Sequence, residues 1–374
     1  MADEALQAKI EELELELKNT KVNKRTEMAV GQLKGKIAKL KEELEAKSKG
    51  GGRGEGFAVK KEGDATVGLL GKPSVGKSTL LGKVTNKESK IGAYEFTTLD
   101  CVPGLLHHRH TNLQILDLPG IIDKAADNRG FGKKVLSVVR ACDLVVLVID
   151  ARRPVEDIEM LIRETENSQI KFNQEPPNIQ VRRMSHGAIN IPLNNSSDHL
   201  SNEMVEEMLK NMGYVNAEVI IHEKNATTDD IIEACHSSVV YKKAVFCLNK
   251  IDLFSVKEMK EIRDMIQEKY PKFELFGISA EAEVNIEKFK DFIWDQLGFM
   301  WIYLKEQRKD PDLEKPLVVM QGDTVKDVCE KIHKDMLDKF KYAKLKGTSA
   351  KFDWQRVALE HKVEHEDIIE IYAR

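Results

Sequence analysis

Gly71-Lys72-Pro73-Ser74-Val75-Gly76-Lys77-Ser78 follows the apolar run Thr66-Val67-Gly68-Leu69-Leu70, and Thr79 continues the chain. The two glycines with lysine and serine behind the second read as strand, phosphate-binding loop and helix, the helix starting near Lys77. Glycine lets the backbone turn tightly and aim its N–H groups inward. The helix N-terminus adds partial positive charge. In such a loop Lys77 reaches the β- and γ-phosphates and the Ser78 hydroxyl takes a place on Mg²⁺. By itself the pattern fits ATPases, kinases and GTPases equally.

Asp117-Leu118-Pro119-Gly120 closes a second apolar run, Leu113 to Leu116. It falls at the carboxyl end of a strand, where ligands bind in open α/β sheets. Asp117 is expected to hold Mg²⁺, directly or through water, and the Gly120 N–H to sense the γ-phosphate. Asn249-Lys250-Ile251-Asp252 follows Ala244-Val245-Phe246-Cys247-Leu248 and reads as a guanine-selecting loop. The Asp252 carboxylate accepts two hydrogen bonds, from the ring N–H and the exocyclic amine of guanine. Adenine offers neither, so the carboxylate would be left unpaired. Asn249 is expected to tie this loop to the phosphate loop, and the Lys250 stem to cover the base. Ser279-Ala280, after Phe276-Gly277-Ile278, is expected to give a backbone contact to the guanine oxygen. In this order and strand-end context the pieces read as a GTP-binding domain.

Between the phosphate loop and Asp117 a switch threonine is expected. Thr97 and Thr98 of Tyr94-Glu95-Phe96-Thr97-Thr98-Leu99 are the candidates, poised to close on Mg²⁺ and to let go on hydrolysis. Composition alone allows two surface threonines in a β-prone stretch.

Gly92-Ala93-Tyr94-Glu95-Phe96-Thr97-Thr98-Leu99, the phosphate loop and Asp117-Leu118-Pro119-Gly120-Ile121-Ile122 resemble the Obg-type GTPases, and among them the developmentally regulated GTP-binding proteins. The resemblance covers nearly the whole chain. It implies Thr98 as the metal ligand of the switch, with Lys77, Thr98 and Gly120 as the catalytic set. Where Ras-like GTPases keep a water-orienting glutamine after D-x-x-G, this chain has Ile121-Ile122, so slow hydrolysis is expected. The resemblance implies K⁺ as a further cation of the active site, since relatives with an aliphatic residue there often use it. In the clearest K⁺ users a loop asparagine binds it, and Ser74 stands in that place here. The family further implies the ribosome or ribosomal RNA and a dedicated regulatory protein as partners, beside GTP and GDP.

The chain has 374 residues and a formal net charge of −4. It is long enough for two or three domains, and no global basic field points to nucleic acid; DNA is not expected as a partner. Five cysteines (Cys101, Cys142, Cys235, Cys247, Cys329) show no metal spacing and suit a reducing, cytoplasmic setting. No run reaches the length of a membrane helix.

The fold class expected is α/β: a P-loop GTPase domain with a doubly wound, mostly parallel sheet, split as 63–154 and 238–298. Residues 1–49 read as a helical hairpin, from Leu6, Ile10, Leu13, Leu17 and from Leu33, Ile37, Leu40, Leu44. A dimerising coiled coil is the alternative. The basic turn Lys21, Lys24, Arg25 reads as an RNA contact or as a solvated loop. Residues 50–62 are a Gly-rich linker. Residues 155–237 are an insertion, in the resemblance a small α/β module of ribosomal-protein-S5-like fold. Its Arg182-Arg183 reads as a contact for an acidic partner or as an ordinary exposed pair.

Residues 299–374 show strand, helix and strand, with Thr324 as N-cap and Asp327 three residues on. They resemble the ubiquitin-like β-grasp TGS domain. Lys339, Lys341, Lys344 and Lys346, interleaved with Phe340 and Tyr342, suit RNA and equally a lysine-protected strand edge. The activity expected is Mg²⁺-dependent hydrolysis of GTP to GDP and phosphate as a switch on the translating ribosome. The rival is a GTP-binding scaffold with negligible turnover. A tRNA-directed factor rests on the β-grasp region alone.

Overall fold

A computed structural model of the chain describes residues 2–20, 27–48, 63–85, 102–118, 138–192, 200–235, 239–333 and 335–373. The expected contacts at Phe96, Thr97, Thr98 and Gly120, the turn at Lys21 to Arg25 and the linker 50–62 lie outside the described residues. The chain divides into two compact units, Met1–Gly56 with Gln169–Tyr241 and Phe57–Ser168 with Lys242–Arg374.

The chain opens with α1 (Ala2–Asn19) and α2 (Glu27–Ser48), which lie in contact. Ile10, Val30, Leu33, Ile37 and Ala38 are buried. Next come β1 (Ala65–Leu70), α3 (Lys77–Val84), β2 (Val102–His108), β3 (Thr111–Asp117), β4 (Leu144–Asp150) and α4 (Pro154–Asn167). Every residue of β1 and β4 is buried, as for parallel strands covered on both faces. β1 pairs in parallel with β3 and β4, and β2 runs antiparallel to β3. α4 buries Ile158, Leu161 and Thr165 and lies against β4. On sequence alone the insertion starts at 155. In the structure α4 packs with the phosphate-loop unit, because its apolar stripe needs the sheet face, and the other unit resumes at Gln169.

That unit continues with β5 (Ile170–Phe172), β6 (Ile179–Arg183), β7 (Ile189–Asn190), α5 (Asn202–Asn211), β8 (Ala217–Ile221), α6 (Thr228–Cys235) and β9 (Val240–Lys242). Ser201 caps α5, its hydroxyl accepting from Met204 N–H at 3.2 Å. β8 lies between β6 and β7, and Val205, Met208, Leu209, Val219, Ile221 and Ile231 form the core. Ala38 of α2 belongs to the same core. On sequence alone the first fifty residues read as a separate element; here α2 packs on α5 and α6. Small residues make that approach close. A Cβ on Gly31 would stand 3.3 Å from the Met208 sulfur, and one on Gly35 3.4 Å from the Met208 carbonyl oxygen. Lys34 pairs with Asp229 at 2.6 Å.

β10 (Ala244–Asn249), a 3₁₀ turn (Ile251–Leu253), α7 (Val256–Lys269), β11 (Leu275–Gly277) and α8 (Ile286–Gln296) complete a six-stranded sheet of order β11-β10-β4-β1-β3-β2. A Ser255–Glu258 capping box starts α7. Phe246 is fully buried and stacks on Phe273 with centroids 4.4 Å apart. Cys142, Cys247 and Cys329 are buried free thiols, small core residues.

β12 (Phe299–Leu304), β13 (Leu317–Met320), α9 (Val325–Ile332), α10 (Met336–Lys339), β14 (Phe340–Lys346), β15 (Gln355–Val357) and β16 (Ile368–Ala373) follow. Their sheet has the order β13-β12-β16-β14-β15 with β12 and β16 parallel. The Thr324–Asp327 capping box is present. Val325, Val328 and Cys329 of α9 bury against Ile302, Val319, Leu345 and Ile369, one amphipathic helix laid on one sheet face. Among the described residues no helix is long and apolar enough to cross a membrane.

Candidate nucleotide-binding site

β1 and β10 end on the same edge of a mostly parallel sheet, so the loops that follow them come together. The β1 loop needs both of its glycines. A Cβ on Gly71 would stand 2.4 Å from the Val148 carbonyl oxygen. Gly76 has φ +96°, and a Cβ there would stand 2.4 Å from Asn249 Nδ2, so any other residue would be strained and would displace Asn249. Gly76 is the N-cap of α3, with no capping side chain and no acidic residue in the first turn. The first N–H groups of α3 thus stay available to an anion. Val75 is buried, whereas Pro73, Ser74, Ser78 and Thr79 are exposed.

Lys77 is buried, and its ammonium donates to the Gly71 and Lys72 carbonyls at 2.9 Å each. Ser78 Oγ donates to Asp117 Oδ2 at 2.5 Å. Asp117 Oδ1 is buried without a hydrogen-bond partner. A hydroxyl beside a carboxylate with one unsatisfied oxygen suits a hard divalent cation such as Mg²⁺, which binds through few protein oxygens and completes its shell with phosphate and water. The donor set fits that ion.

Asn249 is buried and fastens three segments. Its Nδ2 donates to the Val75 carbonyl at 2.8 Å. Its Oδ1 accepts from Lys250 N–H at 2.8 Å and from Ala280 N–H at 3.0 Å. Asp252 projects from the 3₁₀ turn and is exposed, while Ser279 and Ala280 are buried. Ser279 N–H donates to the Val284 carbonyl at 3.1 Å, which rigidifies that loop. The phosphate-loop, base-loop and Ser279-Ala280 residues are thus brought together. Asn249→Ala leaves three groups without their partner and is expected to destabilise the protein by about 2–4 kcal/mol and to weaken GDP binding. Urea unfolding with and without GDP checks this; unchanged stability would show that the three bonds are dispensable.

Sequence reasoning passed over a second set of groups. Asp150 accepts from Arg152 Nε at 3.0 Å and from Lys250 Nζ at 2.8 Å. The Arg152 guanidinium, and next to it Lys250, hold the Asp150 carboxyl well below the usual carboxylate range against the effect of burial. Lys72 pairs with the buried Asp157 of α4 at 2.7 Å. A cleft of about 420 Å³ lies between the phosphate loop and these residues. A carboxylate ending a wholly apolar strand, with Arg152-Arg153 next, was the available signal.

Residues 66–182 match a family model described as 50S ribosome-binding GTPase, 186–299 one described as the C-terminal region of the MMR_HSR1 domain, and 300–373 the TGS domain. The chain is 41% identical to Developmentally-regulated G-protein 3 of Arabidopsis thaliana, covering 97% of each chain. It is 39% identical to Developmentally-regulated GTP-binding protein 1 of Xenopus laevis, covering 97% of this chain and 98% of that one. Among solved structures it is similar to the Schizosaccharomyces pombe YchF GTPase, with 14% identity, a TM-score of 0.48, and coverage of 84% of this chain and 99% of that chain.

Proposed function

The chain belongs to the family of developmentally regulated GTP-binding proteins, and from that premise we propose that it hydrolyses GTP slowly to GDP and phosphate, with Mg²⁺, as a ribosome-associated switch in cytoplasmic translation. One observation carries the guanine-nucleotide reading: Asn249 fastens the phosphate loop, the base loop and Ala280 into one unit. Such a unit binds both ends of one guanine nucleotide.

Water is the nucleophile. Lys77 and the N–H groups at the start of α3 stabilise charge on the transferring phosphoryl group. On sequence grounds Thr98 and Gly120 complete the γ-phosphate contacts. Ser78 and Asp117 would hold Mg²⁺, which neutralises phosphate charge when bound. Ile121 and Ile122 have no group to orient water, so added catalytic help comes from K⁺ or from the ribosome.

The ribosome reading has support in the family model and in the C-terminal sheet. Arg356 lies 4.0 Å over the Tyr342 ring, Tyr342 stacks on Tyr372 at 4.5 Å, and Lys344 lies 5.2 Å over Tyr372. The rings are engaged by the protein's own groups, so this face offers cations to phosphates more than open ring faces to bases. A regulatory protein partner is proposed from family membership alone.

Steady-state phosphate release in K⁺ and in Na⁺, with and without ribosomes, tests the proposal. Faster release in K⁺ and with ribosomes is the expected result. Tight GTP binding without turnover in any condition would favour the scaffold reading, whose support is the missing glutamine.

A further inference from the structure

The two nucleotide loops rise from strands that are not neighbours. The phosphate loop follows β1, the base loop follows β10, and β4 lies between them. Asn249 Nδ2 already reaches the Val75 carbonyl across that gap, and the end of β4 supplies a second tie. β4 ends on Asp150, whose partner in register is Asn249, and Ala151 N–H donates to the Asn249 carbonyl at 3.0 Å.

The Asp150 side chain makes that second tie by way of Lys250. Its carboxylate accepts from Lys250 Nζ at 2.8 Å, and the same ammonium donates to the Ser74 carbonyl at 3.1 Å. One lysine thus touches the end of β4 and the phosphate loop while its backbone belongs to the base loop. Arg152 fixes the carboxylate in turn, through Nε at 3.0 Å, Nη2 at 2.6 Å and its own N–H at 3.0 Å. The pair is partly shielded, with side-chain exposures of 27% for Lys250 and 11% for Asp150. Lys250 also has φ +67°, a left-handed conformation that its own backbone disfavours. Contacts elsewhere therefore hold it.

We propose that Asp150 is a positioning residue for the guanine nucleotide: through Lys250 it locks the base loop against the phosphate loop and sets how long a bound nucleotide stays. This rests on the reading that Asn249 to Asp252 take the base. A lysine stem has many rotamers, and ordering it on binding costs entropy. With the ammonium anchored beforehand, the methylenes already lie where they cover a base. Without Asp150 the ammonium keeps the Ser74 carbonyl alone, and the stem has to be ordered anew with each nucleotide.

The test is dissociation of N-methylanthraniloyl-GDP from the full chain in Mg²⁺ buffer. It compares wild type, Asp150→Ala, Asp150→Asn, Lys250→Met and the Asp150→Ala/Lys250→Met pair, with thermal unfolding of each nucleotide-free protein. Asp150→Ala is expected to release the probe roughly tenfold faster, the scale of one charge-assisted hydrogen bond. Asp150→Asn keeps an acceptor for the ammonium and should restore part of the loss. In the pair, Asp150→Ala should add nothing to Lys250→Met, because its effect runs through that lysine. Wild-type release from Asp150→Ala, or effects that simply add in the pair, would overturn the proposal. If Asp150→Ala does not fold, Asp150→Asn decides, with faster release expected and an unchanged rate overturning it. A wild type that binds no GDP would instead overturn the base-loop reading, and this inference with it.

Discussion

Asp252→Asn is expected to lower affinity for GTP by about 100- to 1,000-fold, the scale of two hydrogen-bonding groups left without partners, and to move the preference to xanthosine nucleotides. The reason is a donor and acceptor count. A carboxylate only accepts, and guanine presents two donors on one edge, the ring N–H and the exocyclic amine. Asparagine offers one acceptor and one NH₂ donor. The donor would face the guanine amine, and both would lose hydrogen bonds to water without a partner. Xanthine keeps the ring N–H and has a carbonyl in place of the amine, so it matches asparagine. The fold should be untouched, because Asp252 is exposed on a 3₁₀ turn. Competition binding with GDP, XDP and ADP reads the effect directly. Wild-type GDP affinity in the variant would mean that Asp252 does not meet the base.

Lys77→Ala is expected to cut single-turnover GTP hydrolysis by about 100- to 1,000-fold, the scale of removing one preorganised charge-stabilising donor. Lys77 is held buried at the start of α3, its ammonium between the Gly71 and Lys72 carbonyls. No other cation of the loop has that place: Lys72 is engaged with Asp157. The substitution also takes a donor from two loop carbonyls and is expected to cost about 1–2 kcal/mol of nucleotide-free stability. The loss of rate should far exceed what that destabilisation explains, because the variant stays mostly folded. Rapid-quench measurement on pre-bound GTP separates the two effects. Hydrolysis at the wild-type rate would remove Lys77 from the catalytic set.

Much of the sheet was legible because continuous apolar runs, such as Leu144 to Ile149, announce strands buried on both faces, and each run ends where a loop residue has chemistry to do. The phosphate loop was legible for a stronger reason. Gly71 and Gly76 stand where a Cβ would strike Val148 and Asn249, so the pattern records a packing constraint. The packing of α2 was not legible. Its apolar spacing predicts a helix but not its partner, and the glycines that admit α5, Gly31 and Gly35, read as mere helix weakeners in a linear sequence. The Asp150–Lys250 pair escaped for the same kind of reason: it joins residues a hundred positions apart, and only the order β10-β4-β1 makes them neighbours. Phe96, Thr97, Thr98 and Gly120 fall outside the described residues, and their contacts to the nucleotide stand as proposals on sequence grounds.

The most direct test of the central claim is phosphate release by the purified full chain from GTP and from ATP, side by side, with Mg²⁺ present. A guanine-selective hydrolase releases phosphate from GTP, leaves ATP intact, and stops when EDTA removes the metal. Equal release from ATP would contradict the reading of Asp252, and tight GTP binding with no release would contradict the assignment of hydrolysis itself.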